Sequence, residues 1–104
     1  MNYIIDENKN IVQEPDLIKW ANWYETHNRH IGKDYVGRAK ISTVFLGIDH
    51  NLNRVGPPIL WETMIFGGPL DMEQFRCAGS WEQAEAMHEE AVETVERIMQ
   101  KERT

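Results

Sequence analysis

The chain alternates short apolar clusters with polar breaks, and the spacing of the clusters predicts its elements. Tyr3-Ile4-Ile5 and Ile11-Val12 flank Asp6-Glu7-Asn8-Lys9-Asn10, residues that tolerate left-handed backbone, so this stretch reads as a β-hairpin. Glu14-Pro15-Asp16 then opens a helix, because proline at the first helical position forfeits no hydrogen bond and acids suit the positive end of the helix dipole. Leu17, Trp20, Ala21 and Tyr24 recur three and four apart, Trp23 widens the stripe, and Thr26-His27-Asn28 marks the exit. Between Gly32 and Gly37, Asp34–Val36 fits either a short strand or a loop.

Ile41–Ile48 is rich in β-branched and aromatic residues and has no helical period, so it predicts a strand with Ile41, Thr43 and Phe45 on one face and Val44, Leu46 and Ile48 on the other. A ten-residue connection, Asp49–Pro58, contains Asn51, Asn53, Gly56, Pro57 and Pro58. The paired prolines cannot donate to a ladder, so pairing resumes at Ile59. A second strand, Ile59–Phe66, ends at Gly67-Gly68-Pro69 and pairs antiparallel with the first, since a parallel crossover needs more chain. Gln74–Ala78 reads as a third, shorter strand. Ser80-Trp81-Glu82-Gln83 is a capping box, and behind it Trp81, Ala84, His88, Ala91, Val92, Val95, Ile98 and Met99 form one stripe opposite Glu82, Glu85, Glu89, Glu93 and Glu96. The expected fold is α+β, a two-layer sandwich with an antiparallel sheet and two helices packed on one face.

Composition narrows the function classes. The chain has 104 residues and 12.2 kDa, which fits one domain over residues 1–104. Its single cysteine, Cys77, leaves no internal disulfide and suits a reducing cytoplasm. No apolar run approaches a membrane span, and Met1–Asn10 lacks the basic-then-apolar order of a signal peptide. Seventeen acidic against eleven basic residues give a net charge of −6, which opposes direct nucleic-acid binding and leaves room only for a local basic patch.

Motifs for phosphate loops, dinucleotide folds, hydrolase elbows and zinc helices are absent. The remaining candidates are polar residues in apolar surroundings. Asp49 and His50 follow the first strong strand, as a metal-ligating or acid–base pair or, more plainly, as a turn cap beside an exposed imidazole. Glu62 interrupts the second strand. It is either a buried carboxylate with a raised pKa or the ion-pair partner of Arg38, Lys40 or Arg76. His88 is the titratable residue on the apolar stripe of the last helix, directed toward Glu62 or His50 or bonded within the core. Asp49, His50, Glu62 and His88 together would make a divalent-metal site and a hydrolase of phosphorylated or nucleotide substrates. Pro57 and Pro58 with Gly67 and Gly68 would frame a cleft, or simply end strands. Trp61, one of four tryptophans, is a candidate contact residue beside Glu62.

The block Ser42–His50, continued by Gly56–Gly68 and joined by Ser80-Trp81-Glu82, Ala84 and His88, resembles a family of small, mostly uncharacterised proteins encoded by tailed phages, prophages and bacteria. This chain departs from that pattern at Leu52, Trp61 and Met87. The resemblance spans nearly the whole chain and implies a phage-type accessory protein in the host cytoplasm. It would be a non-enzymatic binding module that antagonises host defence by contacting a host protein or sequestering a small nucleotide-like molecule. Its contact residues are expected among Asp49, His50, Pro57, Pro58, Trp61, Glu62, Gly67, Gly68 and His88, with no cofactor. A homodimeric, virion-associated role for the aromatic surface is the further alternative.

Overall fold

The structure, a computed structural model, describes residues 1–52 and 55–103. Asn53, part of the predicted connection, lies outside the described residues. The hairpin forms from β1 (Tyr3–Ile5) and β2 (Ile11–Gln13), with Tyr3 opposite Gln13. Its turn is closed by Asp6, whose Oδ1 accepts from the amides of Asn8 and Asn10, each at 2.9 Å. Helix α1 covers Leu17–Thr26 and is capped by Asp16, which accepts from the amides of Ile18 and Lys19. The start lies beyond Pro15 because the Asp16 carboxylate is the better N-cap.

Four strands follow as an antiparallel meander, β3 (His30–Val36), β4 (Ala39–Phe45), β5 (Trp61–Phe66) and β6 (Gln74–Cys77), adjacent in chain order. Where Asp34–Val36 was ambiguous, a seven-residue strand forms. Its His, Gly, Lys and Asp residues are poor strand formers, and pairing with β4 holds them extended. β4 ends at Phe45, earlier than the predicted Ile48, because the chain turns at Gly47 with φ 75°. Antiparallel contact nonetheless continues from Leu46 N–H to the Leu60 carbonyl and from His50 N–H to that of Ile59. α2 (Trp81–Glu102) begins with the capping box of Ser80 and Gln83.

The sheet has an inner and an outer face. Ala39, Ile41, Thr43 and Phe45 of β4 and Trp61, Thr63 and Ile65 of β5 point inward and are buried. α2 lies across them with Ala84, His88, Ala91 and Val95. Two apolar clusters result. Ala39, Ile41, Ile65, Ala91 and Val95 form one, and Phe45, Leu60, Trp61 and Ala84 form the other. α1 sits against the hairpin on the same side, with Trp23 edge-on to Phe45 at 5.7 Å and the Trp20 indole N–H shared between the carbonyls of Tyr3 and Gly47. This is the expected α+β fold, with the long helix packed against the antiparallel sheet.

The glycines that end the strands differ in what surrounds them. Gly67 has φ +81°, and a Cβ there would lie 2.5 Å from the Arg38 carbonyl oxygen. Gly56 has φ +85° and open space within 4 Å. Gly56→Ala therefore carries only the left-handed backbone cost of roughly 1–2 kcal/mol. Gly67→Ala adds a backbone collision and should lower the thermal midpoint well beyond the ~4–8 °C expected per kcal/mol for a domain of this size. Calorimetry on the two variants checks the order.

Candidate functional site

The structure disperses the residues expected to gather. Asp49 Oδ1 accepts from the amides of Asn51 at 2.8 Å and Ile59 at 2.9 Å, which hold its carboxyl below the ordinary carboxylate range. It clasps the connection to β5. The Asn51 side-chain amide donates at 3.0 Å to the carbonyl of Pro57, next to Pro58. His50 spends its Nδ1–H on the Ile48 carbonyl at 2.7 Å. Trp61 is fully buried, its indole N–H donating to the Gly79 carbonyl at 2.7 Å, so it is core and not contact surface. Gly67 and Gly68 pack against Arg38 and Ala39 and turn the chain. Glu62 lies on the outer face and accepts from Arg76 Nε at 2.8 Å, one of the anticipated pairings.

His88 lies on the inner face, so the sheet separates it from Glu62. Alternation along a strand is the reason, since Glu62 and its neighbour Thr63 must point to opposite faces. The proposed set of Asp49, His50, Glu62 and His88 does not assemble. Among the described residues, no three His, Cys, Asp or Glu side chains are placed to hold one metal ion.

His88 instead belongs to a hydrogen-bonded string across the core. Its Nε2 is 2.6 Å from Asp34 Oδ2 and its Nδ1 is 2.6 Å from Thr43 Oγ1, which is 2.5 Å from Thr63 Oγ1. A carboxylate only accepts, so Nε2 donates to Asp34; Nδ1, Thr43 and Thr63 complete the string as consecutive hydrogen-bond partners. The ring rests on Gly32, where a Cβ would meet three imidazole atoms at 2.8 Å. A bulge between His30 and Gly32 sets that glycine opposite Thr43. Hydroxyl, imidazole and carboxylate follow the order of a nucleophilic relay. The hydroxyl end, however, is sealed in the core, and the outward end is Asp34, with 57% of its side chain exposed. The string therefore ties α2 to β4, β5 and the edge strand β3. Asp34, Thr43 and Thr63 were not singled out from the sequence, though hydroxyls at inward positions of two strands, level with a helix histidine, were the available signal.

The outer face carries no helix. Cross-strand register arranges it in three rows. His30, Val44, Glu62 and Arg76 form the first, Lys33, Ser42, Met64 and Gln74 the second, and Tyr35, Lys40 and Phe66 the third. A shallow depression of about 410 Å³ lies over their middle, with Ser42 on its floor. Ser42 is only 7% exposed as a residue, and its hydroxyl, which makes no hydrogen bond among the described residues, remains open to solvent. Three permanent cations, Lys33, Lys40 and Arg76, oppose the single carboxylate of Glu62, which Arg76 already engages. Partial burial and then the charges of Lys33, Arg29 and Lys40 hold His30 below the usual histidine range. Lys40 Nζ lies 5.8 Å from the centre of the Phe66 ring.

No family model, curated protein or solved structure matches the chain. Among the described residues no helix is long and apolar enough to cross a membrane.

Two stability measurements test this geometry. Thr43→Val strands His88 Nδ1 and the Thr63 hydroxyl in the core, at a cost of about 2–3 kcal/mol in urea unfolding. The triple variant Thr43→Val, Thr63→Val, His88→Leu removes both ends of those bonds and should recover part of the loss. For Asp49 the folded pKa lies below the unfolded value, so its charge stabilises above the ordinary range near 3.8 and that contribution fades as pH falls through the folded value. Asp49→Asn, which keeps the acceptor oxygen, should be less stable than the parent at neutral pH and indistinguishable from it in strong acid.

Proposed function

We propose that this chain is a binding module that holds a ligand on the uncovered face of its four-stranded sheet and performs no chemistry of its own. The observation that carries this reading is the floor of the outer depression. The Ser42 hydroxyl, on a residue only 7% exposed, lacks a protein partner there among the described residues and stays open to solvent, among side chains of both polar and apolar character. A hydroxyl left open to water at the base of a concavity suits a ligand that displaces that water and takes up its hydrogen bond. The sealing of the Thr43–His88–Asp34 string and the dispersal of the metal-type residues favour binding over hydrolysis.

The block from Ser42 to Gly68 supports a phage-type accessory role, interference with a host component by sequestration. Glu62 is the contact residue anticipated from the sequence that lines this face. Ser42→Phe fills the depression from its floor, on a strand where an aromatic residue is at home. Native mass spectrometry after incubation with a host small-molecule extract should show a retained mass on the parent protein and its loss on the folded Ser42→Phe variant. A parent that retains nothing, or a variant that retains the same mass, overturns the reading.

A further inference from the structure

The chemistry around Ser42 is specific enough to name a ligand class, and this step rests on the binding-face reading above. Lys33 is the direct cross-strand neighbour of Ser42, and Lys40 lies two positions along β4 on the same face. Lys40 lines the depression with Ser42, whereas the Lys33 side chain lies to one side, beside Asn28, His30 and Ile31. Such neighbours stand about 5–7 Å apart at Cβ, so a rotamer change of Lys33 brings two ammonium groups and one hydroxyl onto a single tetrahedral anion. Lysine is a compact point charge well suited to phosphate. Among the described residues neither lysine has a carboxylate within ion-pair distance. Beside this cluster, Tyr35 and Phe66 flank Lys40 in the third row and are 69% and 42% exposed. Exposed rings on a sheet surface are platforms for planar groups.

We propose that the outer sheet face binds a small nucleoside phosphate, with the phosphate held by Lys33, Lys40 and the Ser42 hydroxyl and the base stacked on Phe66 or Tyr35. Charge and symmetry separate this ligand from its rivals. The chain carries −6 overall, so a long polyanion that leaves the cationic rows meets a repelling surface, whereas a small ligand stays within their field. A second copy whose two-fold axis passed through the Ser42 row would bring the lysines close to their own copies, like charge beside like.

The test is isothermal titration calorimetry with AMP, ATP, adenosine, inorganic phosphate and a twelve-base single-stranded oligonucleotide, beside sedimentation of the free protein. AMP and ATP should bind, with adenosine and phosphate each at least ten-fold weaker than AMP. Lys40→Glu and Lys33→Glu, each confirmed folded by circular dichroism, should reduce AMP affinity about ten-fold or more. Phe66→Ala with Tyr35→Ala should weaken AMP roughly ten-fold and leave phosphate unchanged. The ligand class is overturned if no nucleoside phosphate binds at millimolar concentration, or if folded lysine variants bind AMP as the parent does. An oligonucleotide bound far more tightly than AMP, or a dimer abolished by Ser42→Phe, also overturns it in favour of nucleic acid or self-association. A retained extract mass without nucleotide binding removes this ligand and leaves the binding face standing; absence of both removes both.

Discussion

The fold turns on a belt of polar atoms through the middle of its core. Thr63, Thr43 and His88 separate the two apolar clusters, and Asp34 closes the line at the sheet edge. Each member needs its neighbour, because an unpaired hydroxyl or imidazole at that depth costs roughly 1–3 kcal/mol. That mutual need sets the register of α2 over the sheet. A helix advanced by one turn would bring Ala84 or Ala91 over the threonines and leave both hydroxyls and the Asp34 carboxylate without the imidazole. Apolar packing is tolerant of sliding, whereas this string accepts one arrangement.

The same belt accounts for the glycine and the bulge in β3. An imidazole spanning from β4 to the edge strand must pass over the backbone of β3, and Gly32 leaves room for the ring. The extra residue at the bulge, Ile31, then packs toward the Phe45 and Trp61 cluster. With α2, α1 and the hairpin all occupying the inner side, the sheet's outer surface is left uncovered, and its side chains follow from the register that the inner string holds in place.

Much of this architecture was legible. The hairpin, both helices, the capping box and the three strands from Ile41 to Cys77 followed from period, turn residues and caps. β3 was hidden because His30, Gly32, Lys33 and Asp34 carry no strand preference of their own, and only the partner strand decides their conformation. The candidate site was read poorly for a related reason. Adjacent strand residues look equivalent in one dimension, yet Glu62 and Thr63 face opposite layers. A grouping by chemical type joined Glu62 to His88 across a sheet that separates them. Trp61 was misassigned because an aromatic residue beside a carboxylate suggests a surface, whereas its inward position makes it core. Ser42 and Lys33 gave no motif at all, since what distinguishes them is being side by side on neighbouring strands.

An acidic protein with a cationic face is a physically coherent object. Net charge governs what approaches from beyond the screening length of about 8–10 Å, and local charge governs what remains once contact is made. The glutamates of α2 occupy the side of the molecule away from the outer sheet face, with Glu82, Glu85, Glu89, Glu93 and Glu96 all exposed. The field therefore runs from an acidic helix surface on one side of the sheet to a basic sheet surface on the other. A small anion at the sheet face lies within the field of its lysines, whereas an extended polyanion also reaches the acidic surface beyond them. The charge asymmetry thus arises from the layering of the fold itself, because the amphipathic helix that buries the inner face also carries the opposing charge.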